Sequence, residues 1–151
     1  MTSTLYFEDF HIGRTFECGP YPVTREEIVE FAQEFDPQPH HLDEIEAQSS
    51  LLGGLAASGW HVCAMTMKMF ADHMIPLMAA RGGSGSREAR WIRPVRPGDV
   101  LRVEATVVGT KESRGRCDIG HVTFECRVFN QRELAAMVYM TPVIAKRGGT
   151  P

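Results

Sequence analysis

The sequence predicts an α+β fold in which a curved antiparallel sheet wraps around one long central helix. Three observations carry that prediction. The longest apolar stretch, Leu51 to Leu77, spaces its large side chains as a helix does, and beyond residue 86 the spacing changes to the alternation of strands. The 151 residues also show no internal repeat and no sign of a second domain, so residues 1–151 are expected to form a single one. One buried helix followed by three or four long antiparallel strands makes an α+β layer, and a sheet curved around that helix satisfies every segment.

The elements follow in order. Arg14 to Val23 reads as a first strand interrupted at Gly19-Pro20. Thr24-Arg-Glu-Glu27 has the spacing of a capping box, and Ile28, Phe31, Ala32 and Phe35 then share one face of a short helix. Pro37 ends it, because the residue before a proline is driven out of the helical region. Together with Pro39 it predicts a non-helical loop over residues 36–41. A minor helical turn spans Asp43 to Ala47, and Gly53-Gly54 separates it from the central helix, which begins near Ser58. Trp60, Ala64, Met67, Ala71, Met74 and Met78 follow at steps of four and three, and the opposite face is thinly polar. Most of the circumference is therefore expected to be buried. Pro76 kinks or ends the helix, and Arg81 to Ser86 reads as a flexible loop.

In the strand region, Leu101, Val103, Ala105 and Val107 alternate with polar residues, as do Val122, Phe124, Cys126 and Val128. Leu134 to Ala145 is apolar almost throughout, as suits a strand covered on both faces, with Pro142 limiting its ladder. Pro97-Gly98-Asp99 and Asn130-Gln131-Arg132 mark turns. Lys146 to Pro151 reads as a frayed tail.

Composition narrows the function. A net charge of −3 gives no electrostatic footprint for nucleic acid. Ser58, His61, Lys68, Asp72 and His73 break up the apolar stretch, which argues against a membrane span. No basic and apolar leader opens the chain, and four scattered cysteines form no C-x-x-C pair. A cytoplasmic protein with reduced thiols is the expectation.

The chemistry concentrates in Phe35-Asp-Pro-Gln-Pro-His-His-Leu-Asp43. Fully extended, the step from Asp36 to His41 separates the side chains by roughly 17 Å. Pro37 presets a turn, so the loop can double back and let carboxylate and imidazole hold one water between them, as acid-base catalysis requires. By spacing alone, the same residues suit a plain proline turn with exposed histidines better. His40, His41 and Asp43 offer three metal donors, but adjacent histidines of an extended loop point apart and no partner cluster appears elsewhere, so no metal is expected. Further on, Leu52-Gly-Gly-Leu-Ala-Ala-Ser-Gly-Trp60 places small residues at the start of the central helix, where backbone N–H groups and the helix dipole stabilise negative charge. Ser58 also suits a simple N-cap, and Gly59 close packing on the sheet.

Together and in this order, the two stretches resemble the MaoC-like dehydratase family, which includes (R)-specific enoyl-CoA hydratases of the hotdog fold. That family's motif runs Asp-x-Asn-Pro-aliphatic-His-x-Asp, and here it reads Asp36-Pro-Gln-Pro39-His-His41-Leu-Asp43. Tyr6-Phe-Glu-Asp-Phe10 and Arg90-Trp-Ile-Arg-Pro-Val-Arg-Pro-Gly-Asp99 are further matches. The resemblance implies catalysis by Asp36 and His41, with Ser58 and Gly59 at the oxyanion and the substrate thioester delivered on coenzyme A or an acyl carrier. Arg81, Arg87, Arg93 and Arg96 are the cations expected to meet coenzyme A phosphates. No metal or redox cofactor is implied, and a homodimer or higher even oligomer is. Gln38 in place of Asn, His40 in place of an aliphatic residue, and Ser58 where many hydratases have His depart from the pattern and bear on the acyl pocket. A hotdog thioesterase and a non-catalytic acyl-thioester binder are the alternatives.

Overall fold

The structure, a computed structural model, describes residues 3–149. Among these, seven strands form one antiparallel sheet: β1 (Thr15–Pro22), β2 (Ala80–Gly83), β3 (Ala89–Trp91), β4 (Val100–Glu112), β5 (Ile119–Phe129), β6 (Leu134–Met140) and β7 (Pro142–Ala145). The main path runs β1-β4-β5-β6-β3, while β7 lies beside β5 and carries β2 on its outer side. β6 and β7 keep one register along β5, since Phe124 faces Met140 and His121 faces Val143. The strand expected over residues 134–145 is thus one ribbon, interrupted at Thr141 just before a proline that has no N–H to give.

The helices are α1 (Arg25–Phe35), α2 (Pro39–Leu42), α3 (Glu44–Gln48) and α4 (Gly59–His73). Thr24 caps α1 through its hydroxyl, which accepts from the Glu27 N–H at 3.2 Å. Asp43 caps α3 by accepting from the Ile45 and Glu46 N–H groups at 2.8 and 3.0 Å. These caps satisfy donors that no helix can satisfy internally.

The core lies between α4 and the sheet. Leu101, Val103, Ala105 and Val107 of β4 and Val122, Phe124, Cys126 and Val128 of β5 are all buried, as their alternation predicts. From the helix, Val62, Met65, Met69 and Phe70 come down onto them. Phe124 sits at the centre, edge-on to Phe10 at 5.8 Å and to Phe70 at 5.3 Å.

Four expectations are corrected. The buried face of α4 runs through His61, Val62, Met65, Thr66, Met69 and Phe70, whereas Trp60 is 63% and Met67 45% exposed. The helix is apolar nearly all round and the sheet covers only one side. Residues 36–41 are not wholly non-helical, because Pro39 takes the first position of α2, where its missing N–H costs nothing, and His40 and His41 ride on that turn. Ala80 to Gly83 is strand rather than flexible loop, held by pairing with β7. The tail is tied down over 146–149. The Lys146 N–H donates to the Asp118 carbonyl at 2.8 Å, and Arg147 stacks over Tyr6 and reaches Asp9. Residues 150–151 of the expected tail lie outside the described residues. As for Pro76, it sits in a 3-10 turn (Ile75–Leu77) just past the end of α4. No helix among the described residues is long and apolar enough to cross a membrane.

Because Phe124 is fully buried and touches several aromatic rings, Phe124→Ala should lower unfolding stability by about 3–5 kcal/mol in denaturant titration. A loss below about 1 kcal/mol would show that the aromatic cluster is not the centre of the core.

Candidate active site

Asp36 is the C-cap of α1, Ser58 the N-cap of α4, and His41 the buried residue of α2. Three separate helix ends therefore converge. Asp36 leaves the helical region with φ −152° and ψ 70°, as the following proline demands. Its Oδ2 accepts the Ser58 hydroxyl at 2.6 Å, and Oδ1 accepts the Gln38 side-chain amide at 2.6 Å. The same Ser58 oxygen accepts the Trp60 N–H at 3.2 Å, so one hydroxyl caps α4 and holds the carboxylate.

His41 points the other edge of its ring at the protein. Nδ1 lies 2.7 Å from the Ala56 carbonyl, which can only accept, so the proton of the neutral ring sits on Nδ1. Nε2 is left facing Asp36 Oδ2 at 3.5 Å, with the two side chains 7% and 16% exposed. A water oxygen about 2.8 Å from both atoms closes a triangle of that width, donating one hydrogen to each.

The electrostatics suit a carboxylate. The Ser58 hydrogen bond is the main cause holding the Asp36 carboxyl below its ordinary range; burial opposes it, and the Gln38 amide and the imidazoles of His41 and His40 lower it further. His40 packs edge-on against His41 at 4.2 Å, and burial, seconded by His41, pushes its pKa down against the pull of Asp36.

Asp36, His41 and Gly59 open into a cavity of about 530 Å³, walled on its apolar side by Trp60, Trp91 and Ala136. Gly59 has a steric reason to be glycine: a Cβ there would lie 2.3 Å from the Trp91 indole. Neither the Ser58 nor the Gly59 N–H has an acceptor among the described hydrogen bonds. Ser58 is fully buried, while Gly59 lines the cavity at the positive end of a 15-residue helix.

A family model, the MaoC like domain, matches residues 9–128. The chain belongs to the MaoC-like family. Its fold is the hotdog fold, shared with a Mycobacterium tuberculosis protein described as a double hotdog (TM-score 0.79, 16% identity, covering 98% of this chain and 46% of that one). The solved MaoC-like dehydratase from Rhodospirillum rubrum is 42% identical with a TM-score of 0.88, covering 95% of this chain and 98% of its own. Among curated proteins, YdeM of Bacillus subtilis is 29% identical over 140 residues, covering 93% of this chain and 98% of YdeM. A mesaconyl-CoA hydratase of Cereibacter sphaeroides is also 29% identical, covering 96% of this chain but 42% of its own length.

The four arginines expected to meet coenzyme A phosphates have different surroundings in this MaoC-like chain. Arg93 lines the cavity and pairs with Glu133 at 3.5 Å. Arg96 holds the loop before α4: its guanidinium donates to the carbonyls of Leu52, Gly54 and Leu55. Arg87 stacks over Tyr139 at 4.2 Å, and Arg81 lies on β2; neither lines the cavity. No cluster of three or more metal-donor side chains occurs among the described residues. Two site features escaped the sequence reading. The Ala56 carbonyl is backbone and leaves no side-chain signal, while Trp91 stood inside a matched segment without a role.

Ser58→Ala should raise the Asp36 pKa, read by NMR titration of its carboxyl carbon, because it removes the largest cause of the lowering. The sign for stability follows. A depressed folded-state pKa gives stability that is present above the unfolded value and lost as pH falls through the folded one, so the variant should lose part of that acid-sensitive stability. An unchanged Asp36 titration would show that Ser58 does not hold the carboxylate.

Proposed function

We propose that this MaoC-like protein is an (R)-specific enoyl-CoA hydratase, reversibly a 3-hydroxyacyl-CoA dehydratase. The observation that carries the reading is the pairing of the free His41 Nε2 with Asp36 Oδ2 at 3.5 Å, in a cavity that Gly59 also lines at the start of α4. The hydratase named among the relatives is consistent with it.

In the forward direction, water held between Asp36 and His41 gives up a proton to this pair as its oxygen bonds to C3 of the 2-enoyl thioester. The π electrons move toward the thioester oxygen, whose developing charge meets the Gly59 N–H and the α4 dipole. The proton is then returned to C2, and the pair is restored. Asp36, His41 and water account for every proton and electron pair, so the scheme calls on no metal or redox cofactor. Arg93 at the cavity edge is the best placed of the four arginines for a coenzyme A phosphate.

The protein is further proposed to act as a homodimer. Strand β3 is an edge of the sheet, and beside it Trp60, Met67 and Trp91 are 63%, 45% and 48% exposed. A cavity of about 720 Å³ runs between Trp60, Cys63 and Met67 of the helix and Ala89, Val138 and Met140 of the sheet. A second copy paired edge to edge would close the ladder and cover this face. Light scattering at micromolar concentration should give twice the chain mass or an even multiple of it. A stable, fully active monomer would overturn the dimer.

With crotonyl-CoA, hydration removes the conjugated chromophore without releasing thiol. Asp36→Asn and His41→Gln should each fold and lose at least about two orders of magnitude of that activity. Thiol release instead would identify a thioesterase, and binding with no reaction a carrier of acyl thioesters. Either result, or near-normal turnover in the variants, would remove the hydratase assignment.

A further inference from the structure

Behind the catalytic cavity lies a buried ionisable group that the scheme above does not use. His61, one turn into α4 from Ser58, is 3% exposed, and its ring stacks on Phe31 of α1 at 4.5 Å and 7°. Its Nε2 faces Glu27 Oε1 at 3.8 Å, and Tyr21 of β1 donates its hydroxyl to that same oxygen. Its Nδ1 is buried with no hydrogen-bond partner among the described residues. Burial holds the His61 pKa below its ordinary value, with Glu27 opposing. A proton on Nδ1 would be a buried donor with nothing to receive it, so the neutral ring carries its proton on Nε2, toward Glu27. The other charges around this open cavity of about 430 Å³, Glu30 and Glu34 of α1 and Lys68 of α4, are solvent-exposed.

A buried imidazole with an unpaired nitrogen is a costly core filler; an apolar side chain would occupy the same space without that penalty. The position of His61 supplies a reason. Two polar links cross from α1 to α4 among the described residues. One joins Asp36 to Ser58 where the helices end, and the other joins Glu27 to His61 further inside. Buried Ile28 and Ala32 seat α1 on the core, and a second cross-helix contact, the His61 ring stacked on Phe31 and turned toward Glu27, restricts the rotation that this apolar seat leaves open.

We propose that His61 is a positioning residue: stacked on Phe31 and facing Glu27, it fixes α1 against α4 and so keeps Asp36 within reach of the Ser58 hydroxyl and His41. Its catalytic consequence rests on the hydratase reading, but the geometry has a gauge of its own. The Ser58 hydrogen bond is the main cause of the low Asp36 pKa, so a pivot that lengthens the 2.6 Å bond raises that pKa whatever reaction is run.

The test is the Asp36 carboxyl titration by NMR, alongside steady-state kinetics with crotonyl-CoA. His61→Ala should raise the Asp36 pKa by about 0.5 or more and lower kcat about tenfold, with KM changed by less than about twofold. Phe31→Ala, which removes the stack from the other helix, should shift the Asp36 pKa in the same direction, and it serves alone if His61→Ala does not fold. His61→Phe keeps a ring on Phe31 but loses the approach to Glu27, and should recover only part of the lost kcat. An Asp36 titration unmoved in both alanine variants would overturn the proposal, even where thermal stability falls. Should the wild type hydrate no enoyl thioester while the Asp36 pKa still moves, the positioning stands and the hydratase reading fails. Should kcat fall with no movement of that pKa, the reverse holds.

Discussion

The Ser58 hydroxyl bonds to Asp36 across the ends of two helices, and the arrangement of the site depends on that contact. It caps α4, lowers the Asp36 pKa and joins the segment that carries the carboxylate to the one that carries the Gly59 N–H. The sheet makes the contact possible by presenting a continuous apolar face from β4 and β5 on which α4 lies buried along one side. With the helix fixed by that burial, the placement of Asp36 reduces to the placement of α1. The hydrophobic interior sets coarse position, and a few hydrogen bonds refine it.

Much of this was legible in the sequence because the signals were local. The Thr24 cap, the two-residue alternation in β4 and β5, and Pro37 after Asp36 each act over a few residues, and each appears in the structure as read, except that Glu27 accepts the Tyr21 hydroxyl rather than completing a capping box. Pairing Asp36 with His41 required only that the chain double back between them. The short helix α2 performs that turn, with Pro39 at its start rather than in an extended loop.

What stayed hidden was non-local. Periodicity reveals that Trp60, Ala64 and Met67 share a face, but not whether this chain's own sheet covers that face. Strand β2 is glycine-rich and looks like a loop until β7 supplies a partner. The salt link of Arg147 to Asp9 joins opposite ends of the chain, and that of Lys146 reaches back to Glu112 on β4. One missed contact was local: Gln38 departs from the family motif, yet its amide reaches Asp36 Oδ1 at 2.6 Å.

The clasp of Arg96 on the carbonyls of Leu52, Gly54 and Leu55 has a consequence for inheritance as well as for shape. The very next carbonyl, that of Ala56, decides which His41 nitrogen keeps its proton, and no codon change can delete a main-chain oxygen. The loop's path is what mutation can reach, and Arg96 secures that path. A change at this arginine would leave the imidazole in the gene product while loosening the stretch of main chain that assigns its proton.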